Sequence, residues 1–255
     1  MDRWLKKVAV VTGASSGLGE AISKALVSHG VIVVGLARRL NNMEKIADEL
    51  KSDSGSFYPV QCDVTKEENI LEAFKFAESL GGVDILVNNA GLAFPEYIID
   101  GKTEHLRNML DVNLLAAAIC SREAVKSMRK RNSQGHIINV SSILGQNVCK
   151  SNAPLLLYQT TKCALSAMSE VIRNEICITR APIKVTNLAP GLVKTQMPII
   201  EASGGEAIFN ALPHLHIKDV VDAVVYTLGT PPHVQVGDLV ITALHESSLN
   251  LLPSP

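Results

Sequence analysis

A tyrosine and a lysine stand four positions apart in the segment YQTTK, as Tyr158 and Lys162. Positions i and i+4 share one face of a helix, so the phenol and the ammonium can reach the same small volume. A phenol has an ordinary pKa of about 10, and a neighbouring cation favours its ionised form. The pair therefore fits an acid/base site that exchanges a proton with an alcohol or a carbonyl. The alternative is a packed aromatic ring beside a solvent-reaching lysine, and this segment alone leaves both open.

A hydroxyl group that could orient a substrate oxygen is offered by the segment NVSSILG, which contains Ser141 and Ser142. Side chains alternate between the two faces of a strand. The two serines therefore point in opposite directions, and only one of them can serve the site.

A possible phosphate-binding turn occurs near the N-terminus, in VAVVTGASSGLGEAI. Gly13, Gly17 and Gly19 lie between an apolar run and a helical pattern, where glycine permits a tight turn and lets backbone amides approach a phosphate. The spacing differs from the G-x-G-x-x-G dinucleotide fingerprint. A plain tight turn between strand and helix is the alternative.

The end of the second apolar run, VVGLARRL, distinguishes between the two nicotinamide dinucleotides. An acid at this place would bind the ribose 2′-hydroxyl of NAD, whereas arginine can bind the 2′-phosphate of NADP. Ala37 stands where the acid is expected, and Arg38 and Arg39 follow it. We therefore predict NADP(H), with Arg38 preferred because it comes first after the strand. The alternative is a pair of solvated surface arginines.

Short apolar runs alternate with helix-length amphipathic segments along the whole chain. Seven runs are candidate strands, namely 8–13, 31–36, 57–62, 84–89, 136–141, 184–189 and 238–243. Such alternation predicts an α/β chain with a parallel sheet. We expect a single-domain, doubly wound Rossmann fold over 1–255, with a seven-stranded parallel sheet and helices on both faces. The longest stretch without a strand pattern, about 191–216, is expected to be a substrate-loop insertion.

The composition excludes several classes of protein. Of 255 residues 47% are hydrophobic and 19% charged, with a net charge of -1, which argues against disorder and against nucleic-acid binding. We see no apolar stretch that fits a signal peptide or a membrane span, so a cytoplasmic location is expected. The five cysteines form no CxxC pair, which predicts reduced thiols and no metal site.

Seven motifs together resemble the short-chain dehydrogenase/reductase family over nearly the whole chain. They are TGASSGLG (12–19), DV (63–64), NNAG (88–91), the asparagine of DVNLLA (111–116), NVSSILG (139–145), YQTTK (158–162) and PGLVKT (190–195). Within the family, the opening MDRW, the GLARR strand end and the tail TPPHVQVGDLVI are similar to insect farnesol dehydrogenases and related vertebrate cytosolic keto-reductases. The resemblance implies an oxidoreductase.

The resemblance also implies a catalytic set of Asn113, Ser142, Tyr158 and Lys162. Tyr158 would be the general acid/base, and Lys162 would also bind the nicotinamide ribose. The family's serine usually stands three positions before a glycine, which selects Ser142 by its distance from Gly145. Asn113 would hold a water linked to Lys162. The interval from Ser142 to Tyr158 is longer than usual, and its segment QNVCKSNAPLLL is expected to form a loop over the substrate.

By the same resemblance a further set of residues would border the cofactor. Together with Tyr158 and Lys162 they are Gly13, Ser15, Ser16, Gly17, Leu18, Gly19, Arg38, Arg39, Asp63, Val64, Asn89, Ala90, Gly91, Pro190, Gly191, Val193 and Thr195. Asp63 would bind the adenine, although it could simply begin a loop. The backbone of Val193 would meet the nicotinamide carboxamide.

The expected substrate is a small lipophilic alcohol or carbonyl compound, because apolar side chains lie around the motifs. The expected pocket consists of Leu144, Leu155, Leu157, Met197, Ile200 and Phe209. An isoprenoid alcohol such as farnesol is preferred on resemblance, with steroid or dicarbonyl reduction as the alternative. A non-catalytic nucleotide-sensing protein is the alternative of another class. Two helices rich in small and apolar positions, one around Asn113 and one from Tyr158, predict a homodimer or homotetramer.

Overall fold

The computed structural model describes residues 1–146, 156–195 and 207–246. Seven strands form one sheet: β1 Val8–Thr12, β2 Ile32–Ala37, β3 Ser56–Gln61, β4 Val83–Asn88, β5 Gly135–Val140, β6 Ile183–Pro190 and β7 Asp238–Ile241. All neighbouring strands are parallel, in the order β3-β2-β1-β4-β5-β6-β7. The predicted seven-stranded Rossmann fold is therefore confirmed.

Helices connect the strands and lie on both faces of the sheet. They are α1 Gly17–Ser28, α2 Leu40–Glu49, α3 Glu67–Ser79, α4 Thr103–Leu110, α5 Ala116–Arg131, α6 Leu156–Thr179, α7 Ala207–Ala211 and α8 Ile217–Gly229. A π-helical turn, Asp111–Leu115, joins α4 to α5, and a short 3₁₀ turn, Ile143–Gly145, follows β5. None of the helices in the described ranges is long and apolar enough to cross a membrane.

Two hydrophobic cores hold the helices on the sheet. Alternate residues of β1 face opposite cores: Ala9 and Val11 pack with α1, α2 and α8, whereas Val8 and Val10 pack with α3, α5 and α6. The interior strands are buried on both faces and so appear in the sequence as continuous apolar runs. This double burial explains why the runs located the strands to within a few residues.

The strand order creates a crevice at one edge of the sheet. The chain proceeds from β1 outward to β3, then returns to place β4 on the other side of β1. Connections leave the carboxyl ends of β1 and β4 in opposite directions, and ligands of doubly wound sheets bind where this happens. The sheet therefore brings the ends of β1 and β4 to a ligand-binding position.

A buried polar chain attaches α6 to this edge. The Asn88 side chain donates to Asn139 Oδ1 at 2.8 Å, and Asn139 Nδ2 donates to Ser169 Oγ at 2.8 Å. Since β4, β5 and α6 each contribute one residue, the chain fixes the helix that carries Tyr158 relative to the strand ends.

Candidate active site

Tyr158 and Lys162 lie in the first turns of α6 and face the same volume. Lys162 Nζ is 5.6 Å from the centre of the Tyr158 ring and donates to the carbonyl of Val140 at 2.8 Å. Val140 is the last residue of β5, so the hydrogen bond ties the lysine to the carboxyl edge of the sheet. The spacing of four residues thus places Tyr158 and Lys162 on one face of α6, as expected for a helix.

The two neighbouring serines point in different directions. Ser142 hydrogen-bonds through its side chain to Tyr158 and also accepts from the Leu144 amide at 3.2 Å. Ser141 instead donates to the carbonyl of Leu188 in β6 at 3.3 Å. Ser142 is therefore the serine that meets the tyrosine.

The packing of Gly145 on α6 explains why a glycine stands three positions after Ser142. A Cβ at Gly145 would lie 2.6 Å from the carbonyl oxygen of Lys162. Only glycine lets the 3₁₀ turn after β5 pack so closely on α6. The close packing brings Ser142 within hydrogen-bonding reach of Tyr158.

Asn113 lies in the π-helical turn and is buried. Its Oδ1 accepts from the Leu92 amide and its Nδ2 donates to the Leu92 carbonyl, each at 2.8 Å. Nδ2 also donates to Thr161 Oγ1 at 3.0 Å, and Thr161 donates to the carbonyl of Tyr158 at 2.7 Å. The side chain thus joins the loop after β4 to α6. Both amide hydrogens are used in this way, and the water contact that the resemblance implies stays a prediction.

Burial sets the protonation of the central pair. It raises the pKa of the Tyr158 phenol to about 12, although the Ser142 hydrogen bond acts in the opposite direction. Burial also lowers the pKa of Lys162 to about 8. The lowering of the phenol pKa that the sequence predicts from Lys162 is not seen in this structure, where burial is the largest cause of the shift. At neutral pH the phenol is protonated and can serve as a proton donor.

The glycine-rich turn between β1 and α1 has the shape of a phosphate cradle. Gly13 and Gly17 have φ of +69° and +58°, and a Cβ at Gly19 would lie 2.2 Å from the Gly13 carbonyl oxygen. The turn therefore depends on glycine at these positions and leads directly into the N-terminus of α1. Ser15 is buried, and Ser16 and Leu18 are half-buried at the same turn.

The ends of β1 and β4 are joined by one hydroxyl. Thr12 Oγ1 accepts from the amides of Asn89 at 3.0 Å and Ala90 at 2.9 Å, and Asn89 Nδ2 donates to the Thr12 carbonyl at 2.9 Å. A Cβ at Gly91 would lie 3.5 Å from Lys162 Nζ, so the NNAG segment passes close to this lysine.

The two arginines after β2 differ in their contacts. Arg39 donates to Ser15 Oγ through Nε at 3.3 Å and to Ser16 Oγ through Nη2 at 2.6 Å. Both arginines are exposed, and the backbone carbonyl of Arg38 accepts from Gln61 Nε2. Arg39 is thus the one whose guanidinium lies on the glycine-rich turn. The preference for Arg38 stays a prediction.

A small cleft lies between the strand ends, lined by Thr12, Val64, Asn88, Ala90, Val112, Ala116 and Ala117. Val64 lines this cleft, and its contact with the cofactor stays a prediction. Asp63 accepts from the amide and the hydroxyl of Thr65 at 3.0 and 2.8 Å. Asp63 thus begins a turn, which is the alternative that the sequence left open. The contact of Asp63 with adenine remains a prediction.

Pro190 ends β6, and the loop after this strand carries Gly191, Val193 and Thr195. Val193 is buried and forms a parallel bridge with Leu215, and Leu215 N donates to the Leu192 carbonyl at 2.7 Å. Part of the expected insertion is thus regular structure, namely this bridge and α7. Residues 196–206 of the insertion lie outside the described ranges.

The expected substrate pocket is described only in part. Leu144 and Leu157 are half-buried near the serine and the tyrosine. Phe209 is buried, with its ring centre 5.1 Å from that of His214 and 5.8 Å from Lys194 Nζ. Leu155, Met197 and Ile200 lie outside the described residues. Of the loop expected over the substrate at 146–157, residues 147–155 also lie outside them. Leu156 and Leu157 belong to α6, so the expectation of a loop was wrong at that end.

Three residues outside the predicted site support it: Thr12, Thr161 and Glu246. Thr12 is the first letter of TGASSGLG and Thr161 the fourth of YQTTK, so their positions inside motifs could have indicated a role. Glu246 bonds to the Leu192 amide from 54 residues away, and no local pattern marks it. Within the described residues, no group of three or more His, Cys, Asp or Glu side chains could hold a metal.

Comparisons with known proteins agree with this geometry. Residues 7–202 match the family model described as short chain dehydrogenase. The chain is 44% identical over 250 residues to mouse dehydrogenase/reductase SDR family member 11, covering 94% of this chain and 95% of the mouse protein. It is 43% identical over 253 residues to a farnesol dehydrogenase of Aedes aegypti, covering 96% and 99%. An alcohol dehydrogenase of Thermococcus sibiricus, solved with 5-hydroxy-NADP, superimposes with a TM-score of 0.82 at 28% identity, over 94% and 98%.

This chain belongs to the short-chain dehydrogenase/reductase family and is an oxidoreductase of that family. The residues also fit a nicotinamide dinucleotide: the glycine-rich cradle lies at a helix N-terminus, the crevice opens beside it, and Lys162 lies next to Gly91.

Proposed function

We propose that this protein is an NADP-dependent dehydrogenase/reductase that interconverts a lipophilic alcohol and its aldehyde or ketone. The observation that carries the proposal is that Ser142 hydrogen-bonds to Tyr158 while Lys162 Nζ lies 5.6 Å from the centre of the Tyr158 ring. An intact acid/base set of this kind also argues against a nucleotide-sensing protein without chemistry.

In the proposed reaction the bound cofactor supplies or accepts the hydride. Ser142 orients the substrate oxygen through its hydroxyl. Tyr158 donates a proton to that oxygen in reduction, in agreement with a phenol pKa of about 12. In oxidation Tyr158 has to accept the proton, and the Lys162 ammonium favours the phenolate that this requires. Lys162 also donates to the Val140 carbonyl, which holds its Nζ beside the ring.

The preference for NADP is supported by the two arginines after β2 and the serines of the glycine-rich turn. Arg39 already donates to Ser15 and Ser16, so this guanidinium and these hydroxyls form a donor group suited to a 2′-phosphate. Ala37 offers no carboxylate that would repel such a phosphate. The complex of the Thermococcus sibiricus alcohol dehydrogenase with 5-hydroxy-NADP supports the same preference.

The substrate is proposed to be an isoprenoid alcohol such as farnesol. The Aedes aegypti relative named farnesol dehydrogenase supports this choice. The half-buried apolar side chains of Leu144 and Leu157, which are near Ser142 and Tyr158 in the chain, support it as well. We further propose a homodimer or homotetramer, because apolar side chains such as Leu110, Leu115 and Val171 are exposed on the helices around the site. A cytoplasmic location remains a prediction.

A cofactor and substrate panel tests the proposal. Purified protein is assayed for oxidation of geraniol, farnesol and geranylgeraniol, and for reduction of steroids and dicarbonyls, with NADP(H) and NAD(H) in parallel. We expect farnesol turnover and tighter NADPH than NADH binding. Arg38→Ala and Arg39→Ala are each expected to weaken NADPH binding by about 10-fold or more, the scale of a lost charge-assisted contact, and to leave NADH binding unchanged. Equal binding of the two cofactors by the unmutated protein would overturn the NADP assignment.

A further inference from the structure

Glu246 lies against the loop after β6 and bonds to its backbone. One carboxylate oxygen accepts from the Leu192 amide, and the other accepts from the Ala243 amide at 2.9 Å. Glu246 N also donates to the Ala243 carbonyl at 3.0 Å, which closes a turn around the carboxylate. This turn follows β7 and is far in sequence from the loop that it contacts.

The absence of a side chain at Gly191 leaves room for the Glu246 carboxylate. A Cβ at Gly191 would lie 2.1 Å from Oε2 and 2.4 Å from Oε1 of Glu246, so any other residue would displace the acid. The φ of Gly191 is not in the left-handed region, since the glycines with positive φ are elsewhere. The absence of a side chain at this position is therefore explained by the close approach of Glu246.

The amides on either side of Val193 are all fixed. Gly191 N donates to the Ile241 carbonyl at 2.8 Å, Leu192 N donates to Glu246, and Lys194 N donates to the Leu215 carbonyl at 3.0 Å. Two of the three acceptors lie at the end of β7 or after it: the carbonyl of Ile241, which is the last residue of β7, and the carboxylate of Glu246. In the described part of the chain, the loop is thus held from Ile241 and Glu246 on one side and from Leu215 on the other.

We infer that Glu246 is a positioning residue for the nicotinamide end of the cofactor site, acting through the Leu192 amide on the loop that carries Val193. The inference rests on the proposed function, because it needs the loop after β6 to border the nicotinamide. Its physical basis is that a carboxylate accepting two backbone N–H groups makes two charge-assisted hydrogen bonds, which hold a loop more rigidly than neutral ones. A pre-positioned loop loses less conformational freedom when the cofactor binds.

The test compares Glu246→Ala with a control that loosens the same segment elsewhere. Asp238 in β7 accepts from Asn187 Nδ2 at 2.8 Å and from Arg173 Nη2 at 3.0 Å, so Asp238→Asn disturbs the attachment of β7 without touching the Leu192 amide. NADPH affinity is measured by fluorescence titration, amide exchange of the 188–195 backbone by hydrogen–deuterium exchange, and thermal stability by melting. None of the three needs turnover.

We expect Glu246→Ala to raise the NADPH Kd by about 10-fold, the effect of losing one charge-assisted bond, and to speed exchange in 188–195. Asp238→Asn is expected to lower the melting temperature while leaving both readouts within twofold of the unmutated protein. Glu246→Gln serves as a second variant. Its amide has one acceptor for two N–H donors, and we expect an intermediate Kd.

Three results would overturn the inference: an unchanged NADPH Kd in both Glu246 variants, an equal rise in Kd in Asp238→Asn, or failure of both Glu246 variants to fold. The last two would make Glu246 a purely structural anchor. If the unmutated protein binds neither NADPH nor NADH, the proposed function fails instead, and the two failures are thereby distinguished.

Discussion

Two lysines in this protein are buried to a similar degree but have different surroundings. Lys162 is 3% exposed and Lys184 is 7% exposed, and burial lowers the pKa of each to about 8. Lys184 donates to three oxygens, the Thr230 carbonyl at 3.2 Å, Thr230 Oγ1 at 2.7 Å and the Pro231 carbonyl at 3.3 Å. Within the described residues Lys162 donates to one oxygen, that of Val140. An ammonium has three N–H groups, so Lys184 uses all of its donors on the protein and Lys162 keeps donors for a ligand.

The positions of the two lysines agree with this difference. Lys162 lies at the carboxyl edge of the sheet, beside the crevice, whereas Lys184 is the second residue of β6, at the opposite edge. Near Lys184, Arg3 donates to the Leu228 carbonyl at the end of α8. Cations at a helix C-terminus are favoured by exposed carbonyls and by the helix dipole. The shared burial and lowered pKa therefore do not mark a functional lysine, but unused donors at a ligand-binding edge do.

The largest expected effect is that of Lys162→Met. Turnover should fall by at least roughly 10²-fold, the usual scale for losing positioned proton-transfer machinery. The NADPH Kd should rise as well, because the lysine is assigned a cofactor contact. The free energy of unfolding should be preserved or increase, since removing a buried cation relieves its desolvation cost. Steady-state kinetics, NADPH titration and urea unfolding measure the three quantities. Full turnover in Lys162→Met would contradict the proposed functional difference between Lys162 and Lys184.

The matched variant Lys184→Met is expected to change stability and leave chemistry intact. The Thr230 and Pro231 oxygens would lose their donor, at a cost of about 1–3 kcal/mol in the free energy of unfolding. Turnover and NADPH affinity should stay within twofold of the unmutated protein. Urea unfolding together with kinetics on the folded variant checks both. A large loss of turnover at unchanged stability would contradict the structural role.

A smaller effect concerns His136, which is fully buried near Lys184 and Arg3. Thr186 donates to the Val236 carbonyl, so it accepts from His136 Nε2 at 2.8 Å, and the neutral ring is the form that fits. Burial, followed by the charges of Lys184 and Arg3, lowers the pKa of His136 to about 3.

The unfolded chain therefore binds a proton at His136 below about pH 6.5, and the folded chain does not until about pH 3. As the pH is lowered through this window, the free energy of unfolding should decrease by up to about 1.4 kcal/mol per pH unit because of this residue. In His136→Gln this component should be absent, so urea unfolding between pH 6.5 and pH 4.5 should give a shallower slope. Parallel slopes for the two proteins would show that His136 does not titrate on unfolding.

The sequence predicted the parts of the structure that depend on local pattern. The run 8–13 was expected to be a strand and β1 is Val8–Thr12, because a strand buried on both faces needs consecutive apolar residues. The shared face of Tyr158 and Lys162 follows from helical spacing alone. The family resemblance selected Ser142 over Ser141 by its interval to Gly145, and the packing of Gly145 on α6 gives a physical reason for that interval.

The parts that the sequence could not predict depend on contacts between distant segments or on burial. Glu246 and Leu192 meet only after β6 and β7 pair. The direction of the chain after β2 decides that Arg39 lies on the glycine-rich turn, and two adjacent arginines carry no signal about that direction. His214 is half-buried against Phe209 of α7, a contact that no local sequence pattern indicates. The raised pKa of Tyr158 depends on desolvation, which neighbours in sequence do not report.

The central claim is that Tyr158 exchanges the proton with the substrate, and Tyr158→Phe tests it most directly. The change removes one oxygen and keeps the ring, so folding and the NADPH Kd should stay within twofold of the unmutated protein. Tyr226→Phe, at a side chain 60% exposed on α8, is the matched control and should have full activity. NADP-coupled farnesol oxidation should fall by at least roughly 10²-fold in Tyr158→Phe alone. Turnover near that of the unmutated protein would contradict the account, because Tyr158 would then be only a packed aromatic residue beside a lysine.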